Sequence, residues 1–220
     1  AKVAALPPSP GVGDYVWLDN NHNGIQDEGE PGVDSVLVEL LDGNGDVVAT
    51  TTTDPSGFYS IFTTDLGAPL SSGVTYEVRF TPPPGYFPTL MDAAGDDTVD
   101  SDGLLTPQFV LGPTEYNPTL DLGLVQPASL GDYVWYDLNH DGLQNDGDPS
   151  IVGVPDVPVS LNVWNGSAWV PATVDIGGDP IVPTVTDTNG HYQFLDLIPG
   201  QYQVVFTLPG FSTVKRDNLQ

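Results

Sequence analysis

Along much of the chain, apolar residues fall at every second position. Val36, Val38 and Leu40 do so, as do Tyr76, Val78 and Phe80, the period of a strand with one face buried. Between such runs stand clusters of Asp, Asn and Gly. "LLDGNGDVV" (40–48) predicts a hairpin with its polar residues at the turn, and "DPSGFY" and "DTNGHY" predict further turns. The 25 Gly and 22 Pro are spread from end to end, which excludes long helices. The expectation is an all-β protein.

The pattern occurs twice. "GDYVWLDNNHNGIQDEGEPGV" from Gly13 returns as "GDYVWYDLNHDGLQNDGDPSI" from Gly131; "TDPSGFYSIF" (53–62) returns as "TDTNGHYQFL" (186–195); "YEVRFTPPPGY" (76–86) returns as "YQVVFTLPGF" (202–211). Three blocks in one order mean a duplicated unit. Roughly seven short strands per unit, with turns between them, predict a β-sandwich.

The expected organisation is an arm (1–12), a first sandwich (13–125), a short proline-marked linker (126–130) and a second sandwich (131–220). The second copy carries extra length in "NVWNGSAWVPATVDIGGDPIVPT", read as a lengthened hairpin. It stops soon after Gly210, so counterparts of Phe109–Leu111 and Thr119–Leu122, the closing strands, are expected to be missing. A sandwich without them has an open edge: either the chain was cut from something longer, or another molecule supplies the strand. On the second alternative, residues 1–12 are the candidate donor.

Charge changes the picture next. The chain of 220 residues carries 30 acidic against 4 basic residues, a formal charge of -26. That excludes nucleic acid and anionic membranes as partners and suits cations. No run approaches the ~20 apolar residues of a membrane helix, so direct membrane insertion is not expected. "AKVAALPPSPG" has too little apolar length for a signal peptide and reads as a mature terminus or arm. There is no cysteine, so bracing must come from elsewhere.

The acidic residues are arranged for one chemistry. "DNNHNGIQDEGE" (19–30) fits D-x-[DN]-x-[DN]-G-x5-E, a calcium loop, but here between strands rather than helices. Calcium takes 6–8 hard oxygens, offered at loop positions 1, 3, 5, 7, 9 and 12. In the first copy these are Asp19, Asn21, Asn23, the carbonyl of Ile25, Asp27 and Glu30, with Gly24 at the sharp turn. In the second they are Asp137, Asn139, Asp141, the carbonyl of Leu143, Asn145 and Asp148. The last ligand there is Asp, one methylene shorter, so a weaker site is expected. A second calcium site is a candidate in the acidic stretch "MDAAGDDTVDSDG", through Asp97, Asp100 and Asp102, with the strand-end carboxylates Asp14 and Asp121 able to complete it.

Enzymatic chemistry is not expected. His22 and His140 sit at the outward loop position 4, His191 follows a turn glycine, and no Ser-His-Asp or zinc-type arrangement occurs. Trp17 and Trp135 lie in the duplicated "YVW" strand and are assigned to the core. Trp164 and Trp169, in the lengthened hairpin, are assigned to packing, with stacking on a glycan or protein as the alternative.

"GDYVWLDNNHNGIQDEGEPGV", "TDPSGFYSIF" and "TPPPGY" resemble the SdrD B-like repeats of bacterial cell-surface adhesins, within the Cna B-type, prealbumin-like sandwiches. The resemblance covers 13–124 in full and 131–220 as a shortened copy. It implies a secreted protein at the cell surface or in the extracellular matrix, with calcium-stiffened Ig-like sandwiches serving as stalk or spacer. Neighbouring repeats, copies of itself or a matrix ligand are the implied partners, and the family's later acidic loop corresponds to Asp97, Asp100 and Asp102. The second copy lacks that loop. Some Cna B-type domains are locked by a Lys–Asn isopeptide bond, but Lys2 and Lys215 both lie outside the first strands, so no lock of that type is expected.

Overall fold

The alternation seen in the sequence becomes the core. In the computed structural model, Val36, Val38, Leu40, Tyr76, Val78 and Phe80 are all buried, while Glu39 and Glu77 between them are not. The structure describes residues 10–93, 95–147 and 152–207, and the backbone of 214–219. It is all-β, in two compact units, residues 1–126 and 127–220, each an Ig-like sandwich.

Unit 1 has one sheet in the order β4-β3-β5-β7, from β4 (Val47–Thr52), β3 (Leu37–Asp42), β5 (Thr75–Thr81) and β7 (Phe109–Val110). The facing layer is β2-β9-β6, from β2 (Val16–Leu18), β9 (Leu122–Val125) and β6 (Phe87–Pro88). It is extended by the short parallel pair β1 (Gly11–Val12) and β8 (Tyr116–Asn117). The last strand therefore lies parallel to the first, with Val16 opposite Leu122, Trp17 opposite Gly123 and Leu18 opposite Leu124. Leu122 and Leu124 point into a core with Val12, Val16, Val38 and Val78.

Trp17, fully buried, lies on the other side of that strand. A Cβ on Gly123 would stand 2.8 Å from the Trp17 ring, so only glycine allows so close a strand.

Turn chemistry is repeated between units. The Asp54 carboxylate accepts the N–H groups of Ser56 and Phe58, and Asp187 accepts those of Asn189 and His191. Gly57 and Gly190 have φ of 90° and 81°. Cβ atoms there would meet the carbonyls of Val16 and Val134 at 2.4 and 2.2 Å, so each turn presses on the "YVW" strand and requires glycine.

In unit 2, β10 (Ala128–Tyr133) pairs with β14 (His191–Leu197). The opposing sheet runs β12 (Trp169–Pro171), β11 (Pro158–Trp164), β15 (Tyr202–Phe206), β16 (Val214–Leu219), with β13 (Thr184–Val185) also beside β11. The extra length forms the β11–β12 hairpin and the segment leading to β13. One expectation needs correcting. β16 lies beside β15, where β7 lies beside β5, so the short copy does supply a strand at that edge. No described residue takes the place of β9. Its core, built on Val159, Leu161, Phe194, Leu197, Tyr202 and Val204, is correspondingly smaller.

Candidate calcium loops and the buried carboxylates

Loop 1 leaves β2 with Asp19 almost wholly buried. One of its oxygens accepts the Asn23 N–H (3.2 Å); the other accepts the Gly24 N–H (2.8 Å) and the Thr89 hydroxyl (2.6 Å). The side-chain oxygens of Asn21 and Asn23 accept N–H groups from within the loop, and both amide nitrogens donate to Asp27 Oδ2 at 2.8 Å. These bonds hold the Asp27 carboxyl below the usual carboxylate range. Glu30 reaches back to the N–H groups of Asn20 (2.8 Å) and Asp27 (3.1 Å). The side chains named from sequence therefore close on one loop.

Loop 2 repeats the arrangement. Asp137 accepts the N–H groups of Asp141 and Gly142, Asn139 accepts that of Asp141, and the amides of Asn139 and Asn145 donate to Asp141 Oδ2 at 3.1 and 3.0 Å. Bonding by Asn145, the Leu143 N–H and Asn139 holds the Asp141 carboxyl low. The backbones match as well. His22 and His140 are left-handed at φ 58° and 61°, and Gly24 and Gly142 at 76° and 74°. Asp148 lies outside the described residues. Sequence reasoning missed two contributors: Asp146, whose carboxylate accepts the Asn139 N–H at 3.3 Å, and Thr89, which no local pattern could link to Asp19.

The second acidic stretch packs against loop 1: the Gln26 N–H donates to the Val99 carbonyl, and Ile25 bridges to Asp100. Asp100 and Asp102 are buried. Asp102 accepts the Asp121 N–H at 2.7 Å and returns its own N–H to the Asp121 carbonyl. Asp121, fully buried, accepts the Tyr15 N–H with one oxygen, while its Oδ2 accepts no N–H from the described residues.

Asp14 shares a side-chain hydrogen bond with Asp121. Burial and the Asp14 charge push Asp121 up to about 9, and burial raises Asp14 to about 6. Burial and the charges of Asp97, Asp100 and Asp92 raise Asp102 to about 7. The Asp14 and Asp102 charges thus act on Asp121, and those of Asp97 and Asp100 act on Asp102.

As the side chains lie, no three acidic or histidine groups among the described residues surround a single point closely enough for an ion. In each loop the carboxylates are instead spaced by amides, which can turn an oxygen inward where they now present nitrogen. The donor set is all oxygen, the hard chemistry calcium selects.

In unit 2, Trp164 and Trp169 face each other across β11 and β12, with ring centroids 5.4 Å apart at 61°.

Comparison with known proteins gives the family of the chain. The model of the SdrD B-like domain matches residues 10–124 and again 128–218. Serine-aspartate repeat-containing protein F of Staphylococcus epidermidis is 40% identical over 217 residues, covering 98% of this chain and 12% of its own length. Serine-aspartate repeat-containing protein E of Staphylococcus aureus is 42% identical over 204 residues, covering 92% of this chain and 16% of its own. The chain thus spans less than a fifth of these relatives. Among solved structures, the Bacillus anthracis TIE protein aligns over 95% of this chain and 30% of its own (14% identity, TM-score 0.40). The shaft pilin spaA of Lactobacillus rhamnosus GG aligns over 94% and 92% (11% identity, TM-score 0.34).

Proposed function

Because this chain belongs to the SdrD B-like domain family, we propose that it is a calcium-stabilised structural module of a bacterial surface adhesin or extracellular fibre. What carries the reading is the repetition of one loop in both units. The same residue types accept the same N–H groups on the same left-handed backbone. A turn needs only one such Asp; two loops ringed by hard oxygens suit a cation.

Without metal, each loop gathers carboxylates that repel one another. Calcium draws them together and ties the end of the "YVW" strand to the chain beyond the loop. Asp19, Asn21, Asn23, Asp27, Glu30 and the Ile25 carbonyl would hold it in unit 1, and Asp137, Asn139, Asp141, Asn145, Asp148 and the Leu143 carbonyl in unit 2. Asp14, Asp97, Asp100, Asp102 and Asp121 would hold a second ion in unit 1, where the ion would take the place of the protons that burial now favours. Extracellular sites of this kind commonly have Kd ~10⁻⁴–10⁻³ M. At ~100 times Kd, one site adds about 2.7 kcal/mol, a large share of a domain's margin. The loop is then a brace, and the role is mechanical rather than catalytic, at a cell surface or in a matrix.

Thermal unfolding tests this. Millimolar calcium should raise the Tm by several degrees over a chelated sample, and equal magnesium should not. An unchanged Tm would overturn the calcium reading.

A second reading gives the β11–β12 hairpin a ligand. Trp164 is 39% exposed beside Trp169, an aromatic pair able to stack on a sugar or a protein side chain. Replacing both with alanine and comparing glycan-array binding separates it from the mechanical role.

A further inference from the structure

The two units differ on one sheet face. In unit 1, Glu39 on β3 and Arg79 on β5 stand opposite each other and are bonded at 2.9 Å, with Leu41 opposite Glu77 beside them. Unit 2 repeats the register. Val159 opposes Phe206 as Val38 opposes Phe80, and Leu161 opposes Val204 as Leu40 opposes Val78. The places of Glu39 and Arg79 are therefore held by Ser160 and Val205, and those of Leu41 and Glu77 by Asn162 and Gln203. Val159, Leu161, Tyr202 and Val204 enter the core, so by the period of a strand these four residues lie on the outer face. Where unit 1 has an ion pair and a glutamate, unit 2 has only uncharged side chains.

The tryptophan pair belongs to this same face. Trp164 lies two residues beyond Asn162 on β11, and Trp169 opposes Trp164 as Pro171 opposes Asn162. The turn that carries the pair is fixed by Asn165, whose Oδ1 accepts the N–H groups of Ser167 (3.0 Å) and Ala168 (2.9 Å). At 61° the two rings do not lie flat on each other, and Trp164 is left 39% exposed. Asn162 Nδ2 donates to Gln203 Oε1 at 2.8 Å, and Gln203 is itself buried, so the Asn162 amide is held in place from below. No charged residue occurs in 157–174 or 197–207, which supply β11, β12 and β15, although the chain is 15% charged. The charged residues of this sheet, Lys215, Arg216 and Asp217, are on β16, at the edge away from β12.

We propose that this face binds a neutral glycan, with sugar rings stacked on Trp164 and Trp169 and hydroxyls bonded to Asn162 and Ser160. The proposal rests on the ligand reading of the hairpin above and names the class of ligand. A sugar ring offers apolar C–H faces and a rim of hydroxyls that both donate and accept. Indole rings match the faces, and amide and hydroxyl side chains, donors and acceptors at once, match the rim. An ion pair such as Glu39–Arg79 would lose hydration beneath a sugar that offers it no charge; Ser160 and Val205 remove that cost. Charge decides against the other classes. An acidic glycan is repelled by a chain of charge -26, and a basic protein segment finds no carboxylate on β11, β12 or β15.

The test titrates the full chain, in millimolar calcium, with uncharged hexasaccharides of glucose, N-acetylglucosamine, galactose and mannose, and with an oligogalacturonate of equal length. Calorimetry reads the binding. At least one neutral hexamer should bind, and the oligogalacturonate should bind more weakly than it. Trp164→Ala combined with Trp169→Ala should remove the binding. Asn162→Leu, the residue that unit 1 has at that place, should weaken it by up to ~10-fold, the worth of one hydrogen bond. Ser160→Glu combined with Val205→Arg restores the ion pair of unit 1 at its own register. That chain should keep its far-UV circular dichroism and lose at least ~10-fold in affinity, since a buried ion pair must be desolvated.

Failure of every neutral hexamer to bind at millimolar concentration overturns the proposal, as does binding that survives the loss of both tryptophans. Two outcomes would overturn the glycan class and leave the hairpin a ligand of another kind. One is preference for the oligogalacturonate; the other is self-association in light scattering that disappears with the two tryptophans. A chain in which the tryptophan substitutions alter neither binding nor association refutes the glycan and the ligand reading together. The calcium brace is read separately, from the Tm of the same samples.

Discussion

Asp121 is the residue under most electrostatic strain in unit 1. It is fully buried, hydrogen-bonded to a second carboxyl and close to a third. Its own pKa and those of Asp14 and Asp102 are raised above the ordinary value of about 3.9. The folded unit therefore binds protons that the unfolded chain releases. Stability from this source is fully present below about pH 4 and is lost as the pH climbs through the raised values of about 6, 7 and 9. In chelator, the Tm of unit 1 should fall between about pH 5 and pH 8, and Asp121→Asn should flatten that fall and raise the Tm at the alkaline end. In calcium the fall should shrink, because the cation replaces the protons and binding releases them. A chelated Tm that rises with pH across that range would contradict this account. Asp14 and Asp121 were legible in the sequence as strand-end carboxylates able to complete one site. The hydrogen bond between them was not, because it depends on β2 and β9 lying parallel, and no local pattern records that.

Elements divide more sharply into what their own residues dictate and what their neighbours decide. The two loops belong to the first kind. Every turn-forming Asp, Asn and Gly acts within a dozen residues, so the motif predicted where the loops turn and which of their groups hydrogen-bond locally. β3 and β5 belong there too, since alternation over six or seven residues fixes which face is buried. β16 belongs to the second kind. "VKRDNL" carries no apolar alternation, and its position derives from an edge of β15 that needs a partner rather than from its own pattern. Thr89 likewise reaches Asp19 only because β6 lies beside β9. The self-contained loops therefore allow a prediction at their own scale. Glu30 reaches two backbone N–H groups, one with each oxygen; Asp148, in its place in unit 2, is one methylene shorter. Calorimetric titration should resolve a tighter loop 1 and a weaker loop 2. Glu30→Asp should weaken the first, Asp148→Glu should tighten the second, and each change is expected to be several-fold to ~10-fold, or about 1 kcal/mol. Equal affinities that ignore both exchanges would mean that position 12 is not a ligand.

For the whole molecule the dominant fact is charge. With 30 acidic and 4 basic residues, and Arg79 paired with Glu39 at 2.9 Å, few carboxylates can find a cationic partner. Self-repulsion then opposes the compact state, and it is relieved in two distinguishable ways. Monovalent salt screens all exposed charges over a Debye length of about 10 Å at 0.1 M, whereas a chelated cation acts only where the oxygens converge. The two units should differ in their response. Unit 1 has the larger buried cluster and a fully covered Trp17; unit 2 has a smaller cluster and only partly buried Val134 and Trp135. Scanning calorimetry at low salt in chelator should therefore resolve two transitions, with unit 2 melting first. Raising sodium chloride to about 0.15 M should move both upward by modest amounts. Millimolar calcium should move unit 1 further than salt does, because that unit combines the longer ligand at position 12 with the buried Asp14, Asp102 and Asp121. If salt and calcium proved interchangeable at equal ionic strength, the loops would be acting as diffuse negative surface, and the specific brace would be lost from the explanation.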